Sequence, residues 1–142
     1  MLLIPGGSAH RPEKRWPVER YAELAARIAA SHGAATPVVL GGAVERPLGA
    51  AIRARCPVAR DLTGQTNFGE IVGLGRRALR AIGNDTGPMH LVVAAGCPAT
   101  VLFSAASDPA LTAPRGRDVA VLRRPSLAEL PVDEVEASLA GA

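Results

Sequence analysis

The run Gly83-Asn84-Asp85-Thr86-Gly87-Pro88-Met89-His90 stands where an apolar segment, Ala78 to Ile82, stops and a helical pattern, His90 to Ala95, begins. The first turn of a helix leaves N–H groups unpaired, and the aligned peptide dipoles add about half a unit of positive charge there. Such a junction suits an anion, phosphate above all. Asp85 and Thr86 are both good N-cap residues, Gly87 lets a ligand approach the backbone, and Pro88 fits a first-turn position where a missing N–H costs nothing. The same residues would also serve a plain capped helix start. His90 follows Thr86 at i, i+4 spacing, so it either points at the same anion or braces the loop. Elsewhere, Lys14 is the single lysine beside fifteen arginines, and a compact ammonium does different work from a forked guanidinium.

These residues need a scaffold, and the chain supplies one by alternation. Short β-type runs occur at Leu2 to Pro5, Pro37 to Leu40, Val58 to Leu62, Leu79 to Ile82, Thr100 to Phe103 and Val119 to Leu122. Between them lie helical patterns, clearest at Tyr21, Leu24, Ala25 and Ile28, which share one face. Further helices are expected at Glu45 to Arg55, Asn67 to Arg76, Pro88 to Ala95 and Ser126 to Leu139, with Gly33 and Cys56-Pro57 as stops. A β/α series of this kind predicts a Rossmann-like α/β/α sandwich: a parallel sheet of about six strands, covered on both faces, in one domain over residues 1–142. Ligands of such sheets lie beyond the carboxyl ends of the strands. The unusual residues follow strands one to five: Pro5-Gly6-Gly7-Ser8 through Lys14, Gly41-Gly42-Ala43-Val44-Glu45, Thr63-Gly64-Gln65-Thr66-Asn67, Asn84 to His90, and Ser104 to Pro109. All belong to one edge.

Composition narrows the chemistry. An apolar content of 48% and a mean hydropathy of +0.17 exclude disorder. The net charge is +3, but four aromatic residues and no basic stripe interleaved with them argue against nucleic acid as the partner. Cys56 and Cys97 lack CxxC spacing and an adjacent His cluster, so no zinc site or disulfide framework is indicated, and a reducing compartment fits. The longest apolar stretch, Leu91 to Phe103, is interrupted by Gly96 and Pro98, so no transmembrane segment is expected. No GxGxxG follows the first strand, and neither GxxxxGK[ST] nor GxSxG occurs, which sets aside the usual dinucleotide, P-loop and serine-hydrolase sites. A phosphate-bearing ligand held by a helix start, one lysine and one acidic residue suits a nucleotide-sugar.

The runs Pro5-Gly6-Gly7-Ser8, Lys14-Arg15-Trp16-Pro17 with Tyr21 to Ala25, Gly41 to Glu45, Leu62 to Thr66 and Gly83 to His90, in this order over about residues 1 to 109, resemble the C-terminal half of glycosyltransferase family 9, the ADP-heptose:lipopolysaccharide heptosyltransferases. That resemblance implies a GT-B architecture, in which two Rossmann-like domains face each other and the C-terminal one holds the donor. It implies that this chain is the donor domain, cut from its N-terminal acceptor-binding partner. In similar proteins Lys14 would reach the diphosphate or the sugar next to it, Glu45 the ribose hydroxyls, and the Thr66 loop the adenine. Thr86 and Gly87 would donate to phosphate, Asp85 would meet sugar hydroxyls, and Gly7, Ser8 and His90 would complete the donor site. Lys14 could equally be a solvated surface lysine, Glu45 a partner of the helix dipole, and Thr66 part of a helix cap.

The resemblance further implies metal-independent, inverting transfer in which an aspartate of the missing domain is the general base. The 142-residue chain would then bind nucleotide without turnover and carry no catalytic residue or cofactor. The full-length protein would work at the cytoplasmic face of the inner membrane. The turn after the fifth strand, Phe103-Ser104-Ala105-Ala106-Ser107-Asp108-Pro109, departs from the family's Phe-Gly-Pro-Thr-Asp-Pro, which leaves the donor sugar open. Two other readings stand beside this one: half of a nucleotide-sugar isomerase of the UDP-N-acetylglucosamine 2-epimerase kind, and a nucleotide-binding module without chemistry.

Overall fold

The computed structural model describes residues 1–7, 11–31 and 35–140. Six strands, β1 (Leu2–Ile4), β2 (Val38–Val39), β3 (Arg60–Asp61), β4 (Ala81–Asn84), β5 (Ala99–Ser104) and β6 (Val119–Arg124), form one sheet in the order β3-β2-β1-β4-β5-β6. Every pairing is parallel, with Leu3 beside both Val39 and Ile82. The helices are α1 (Val18–Ser31), α2 (Arg46–Arg55), α3 (Phe68–Arg77), α4 (Gly87–Ala94), α5 (Pro109–Thr112) and α6 (Val132–Ala137), with short 3₁₀ turns at Pro12–Lys14, Ala43–Glu45 and Leu127–Glu129. The expected six-stranded Rossmann-like sandwich is what forms.

Strand alternation decides which residues meet which helices. Leu3, Val39, Ile82 and Leu102 point to one face and pack under Tyr21, Leu24 and Ile28 of α1, Ile52 of α2 and Val135 of α6. Leu2, Ile4, Val101 and Phe103 point to the other, against Ile71 of α3 and Met89 and Val92 of α4. A right-handed crossover puts its helix on the face set by the direction of travel, and the chain reverses direction after β3, when α3 returns it to β4 beside β1. Helices therefore change face at that point. Beyond the strand ends the loops of β1 and β4 part in opposite directions, and the crevice between them is where ligands of this topology settle.

Several elements differ from expectation for local reasons. The helix expected over Ser126 to Leu139 is broken: Leu127–Glu129 makes a 3₁₀ turn capped by Ser126, and α6 begins only at Val132. Pro131 has no N–H to continue a helix, and the Leu130 carbonyl instead accepts from Trp16 Nε1 (2.8 Å) and Arg20 Nη1 (2.6 Å). The segment after Asp108 contains α5, because the Asp108 carboxylate accepts from Ala110 N at 3.0 Å and starts a turn. Asn67 caps α3 in a reciprocal box with Glu70. The stop expected at Gly33 lies outside the described residues. No helix among the described residues is long and apolar enough to cross a membrane.

Candidate functional site

Two glycine doublets make room for one carboxylate. A Cβ on Gly6 would stand 2.7 Å from Glu45 Oε1, one on Gly41 2.9 Å from Glu45 Cβ, and one on Gly42 3.2 Å from Glu45 Oε2. Any side chain at these positions would displace Glu45, so the loops after β1 and β2 are bare in order to bed it. The loop after β3 is tied to the same floor. Gly64, in a left-handed conformation at φ 70°, donates its N–H to the Gly41 carbonyl at 2.8 Å. Asp61 Oδ1 accepts from the N–H and hydroxyl of Thr63, which closes that turn.

The loop after β1 is held to β4 by a single side chain. Asn84, 1% exposed, donates from Nδ2 to the carbonyls of Pro5 and Gly6, both at 2.9 Å. Its Oδ1 accepts from Trp16 N (3.1 Å) and the Tyr21 hydroxyl (2.9 Å). All four hydrogen-bonding capacities of the amide are used, so its orientation is fixed by its partners. Burial pushes the Tyr21 phenol well above its ordinary pKa, and the Trp16 ring meets the Tyr21 ring edge to face at 4.8 Å. Trp16 and Pro17 are therefore structural: Trp16 is buried, and the Pro17 carbonyl accepts from Arg20 N and Tyr21 N at the start of α1.

Past Asn84 the chain turns into α4. Thr86 is the N-cap residue, with extended backbone, Gly87 and Pro88 are the first helical residues, and no side chain caps the turn. The Thr86 hydroxyl is buried without a hydrogen-bond partner among the described residues, and so are Glu45 Oε2, Thr66 Oγ1, Arg15 Nε and, at the opposite end of the sheet, Arg80 Nε. Buried polar atoms are almost always paired, and two of these, Glu45 Oε2 and Thr86 Oγ1, belong to residues that line one cleft, where a ligand would complete them. Arg15 is anchored at its other end, donating from Nη2 to the Gly7 carbonyl at 2.6 Å.

A cleft of about 280 Å³ opens here, between Gly6 and Gly7 on one wall, Gly41, Gly42 and Glu45 on the second, and Asp85, Thr86 and Gly87 on the third. Of the residues singled out from sequence, Gly7, Glu45, Asp85, Thr86 and Gly87 are brought together in it. Lys14 closes the 3₁₀ turn Pro12–Lys14, is partly exposed and does not line the cleft. Thr66 precedes the cap of α3, beyond the cleft wall. His90 is turned to Asp85, Nε2 to Oδ1 at 3.3 Å, which makes it a brace of the loop. Ser8 lies outside the described residues.

Sequence reasoning missed the clamp made by Asn84, the burial of Arg15 Nε and the purpose of the doublets. The doublets stand in loops that the sequence places at the ligand edge, but nothing local in the sequence shows that they make room for Glu45. The Asn84 partners stand 63 to 79 residues away along the chain, and no local pattern announces them.

The chain is 31% identical over 122 residues to lipooligosaccharide heptosyltransferase 2 of Haemophilus influenzae, covering 82% of this chain and 34% of that protein. It is 30% identical over 129 residues to lipopolysaccharide heptosyltransferase 2 of Escherichia coli, covering 87% and 36%. The fold superposes on the structure of the E. coli ADP-heptose lps heptosyltransferase II with a TM-score of 0.88 at 27% identity, over 99% of this chain and 45% of that one. The chain thus spans about a third of the length of the curated relatives it matches. The sequence profile of glycosyltransferase family 9 (heptosyltransferase) matches residues 1–139, and the chain belongs to that family.

Proposed function

We propose that this chain is the donor-binding part of an inverting glycosyltransferase of lipopolysaccharide or cell-envelope glycan synthesis, and that its donor is ADP-heptose or a closely related nucleotide-sugar. The observation that carries the reading is the pair of buried oxygens without a hydrogen-bond partner among the described residues, Thr86 Oγ1 and Glu45 Oε2, on residues that line one cleft at the reversal of strand order. A diphosphate at the α4 terminus takes the Thr86 hydroxyl and the free N–H groups of the first turn, where the helix dipole favours negative charge. A carboxylate cannot face phosphate without repulsion, so Glu45 serves hydroxyls, and the family resemblance assigns it those of the ribose. Asp85, held by His90, is placed for sugar hydroxyls in the same way.

About 280 Å³ falls just below the roughly 300–1,000 Å³ of a site that encloses a whole small molecule. That supports a half-site, closed in the full-length protein by an acceptor domain that carries the general base. On this reading the chain alone binds nucleotide without turnover. The full-length enzyme uses no metal at the donor site and works at the cytoplasmic face of the inner membrane. The relative that superposes on this chain is named for ADP-heptose, which is why adenine is the base proposed.

Calorimetric titration with ADP, UDP and GDP tests the reading, with EDTA added in a parallel series. ADP should bind tightest and be indifferent to EDTA. Thr86→Val should weaken it by about 1 to 3 kcal/mol, the loss of one hydrogen bond to a charged group. UDP binding clearly tighter than ADP would favour the epimerase-like alternative, and no binding of any nucleotide would sink the proposal.

A further inference from the structure

The C-terminal segment is tied to the cleft through a residue that does not line it. Trp16 is 1% exposed and is bonded at both ends. Its ring Nε1 donates to the Leu130 carbonyl at 2.8 Å, across 114 residues of chain, and its backbone N–H donates to Asn84 Oδ1 at 3.1 Å. Leu130 stands between the end of the 3₁₀ turn and Pro131, the N-cap residue of α6, so neither helix claims its carbonyl. The break in the C-terminal helix is what leaves that oxygen for Trp16.

The other end of Trp16 decides how the Asn84 amide is turned. The Pro5 and Gly6 carbonyls can only accept, so they require its Nδ2, which reaches each of them at 2.9 Å. On the opposite side the Tyr21 hydroxyl, 2.9 Å from Oδ1, can donate or accept and suits either orientation, whereas the Trp16 N–H can only donate. Trp16 therefore keeps Oδ1 on its own side and Nδ2 on the loop after β1. That loop carries the bed of Glu45, since a Cβ on Gly6 would stand 2.7 Å from Glu45 Oε1. Asn84 itself leads directly into Asp85, Thr86 and Gly87, which form the third wall. One amide thus spans from the bed of Glu45 to the wall that carries Thr86, and Trp16 fixes its sense.

We infer that Trp16 is a positioning residue of this cleft: anchored on the Leu130 carbonyl, it holds the Asn84 amide so that Glu45 and Thr86 stand in register for one ligand. The C-terminal helix is interrupted in the service of a cleft that none of its described residues lines. The inference rests on the nucleotide-sugar reading above and adds to it the residue that keeps the two ligand-facing oxygens in place.

The test is calorimetric titration of ADP on the 142-residue chain, with Tm measured alongside, for the unaltered protein, Trp16→Phe and Arg20→Met. Trp16→Phe removes the ring N–H and keeps an aromatic side chain. Arg20→Met removes the second donor to the Leu130 carbonyl, Nη1 at 2.6 Å, and leaves Trp16 as it is. Both should lower Tm. Only Trp16→Phe should raise the Kd for ADP, by about 3- to 10-fold, the most that the loss of one neutral hydrogen bond can transmit. Trp16 is the single tryptophan of the chain, so its biosynthetic replacement by benzothienylalanine, which keeps the shape and puts sulfur in place of N–H, should give the same rise and answers the question if Trp16→Phe fails to fold. An unchanged Kd in the folded Trp16 variant would overturn the inference, leaving Trp16 as a brace of the fold and the cleft as a nucleotide site. An equal rise for Arg20→Met would also overturn it, because any loosening of the C-terminal segment would then act alike. Failure of the unaltered protein to bind ADP would remove the nucleotide reading itself, and this role with it.

Discussion

Replacing Asn84 with alanine should be among the most costly single changes in the chain. The side chain makes four buried hydrogen bonds, to Pro5 O, Gly6 O, Trp16 N and the Tyr21 hydroxyl. At about 1 kcal/mol for each bond lost, the cost is near 4 kcal/mol, and the two orphaned loop carbonyls keep it from falling far below that. A domain of this length has roughly 7 to 15 kcal/mol in total, so a quarter to a half would go. At about 2 to 4 °C per kcal/mol, Tm should fall by roughly 8 to 16 °C, with the urea midpoint shifted and the m-value unchanged. Asn84→Asp adds a direction. Its oxygen still serves Trp16 and Tyr21, but a buried carboxylate would face two carbonyls, which raises its folded-state pKa. Stability of that variant should then be greatest below about pH 4, the ordinary Asp value, and be lost as pH rises through the raised value. A Tm fall of less than about 3 °C for Asn84→Ala, or stability of Asn84→Asp that climbs with pH, would refute the account of Asn84 as the clamp between β1 and β4.

Packing and burial give three further expectations. Tyr21 is held neutral by burial, so its contribution to stability should be fully present below about pH 10 and decline by about 1.4 kcal/mol per pH unit above it; urea midpoints from pH 8 to 11 should show that slope, and Tyr21→Phe should abolish it. At Gly83 a Cβ would meet Ile4 Cβ, Ile4 O and Met89 Sδ, all at 2.8 Å, so Gly83→Ala should cost about 1 to 3 kcal/mol by denaturant melts. Gly73, in the middle of α3 with nothing within 4 Å, should gain about 0.5 to 1 kcal/mol on the same change, and a loss there would contradict the packing described.

The sheet was legible because period-2 and period-3.6 patterns alternate cleanly along the chain, and its parallel sense follows from the helices between the strands. The edge that gathers unusual residues was legible for the same reason. Which of those residues share a hollow was not, since that depends on strand order. The loops after β1, β2 and β4 converge because these strands are neighbours, whereas Thr66 follows β3 at the sheet margin, two strands from β1, or about 10 Å away. Lys14 stood out by rarity, but a side chain's reach is set by the 3₁₀ turn that carries it, and that turn leaves it outside the cleft. The break at Pro131 was readable from the proline alone; the helical spacing of Leu127, Leu130, Val135 and Leu139 obscured it.

The position of β1 in the sheet also governs how the molecule can assemble. β1 precedes every other strand in the chain yet lies in the middle of the sheet, bonded on one side to β2 and on the other to β4. Its second flank stays bare until Ala81–Asn84 has been made, some 80 residues later, which at roughly 5 to 20 residues per second is about 4 to 16 seconds of ribosomal synthesis. During that interval three consecutive aliphatic residues, Leu2, Leu3 and Ile4, have no strand partner until Val38–Val39 is made and one on a single side after it, and the crevice between the loops of β1 and β4 does not exist. Closure of the sheet and creation of the binding cleft are thus the same late event, so a nascent chain stalled before β4 would be sticky and unable to recognise nucleotide.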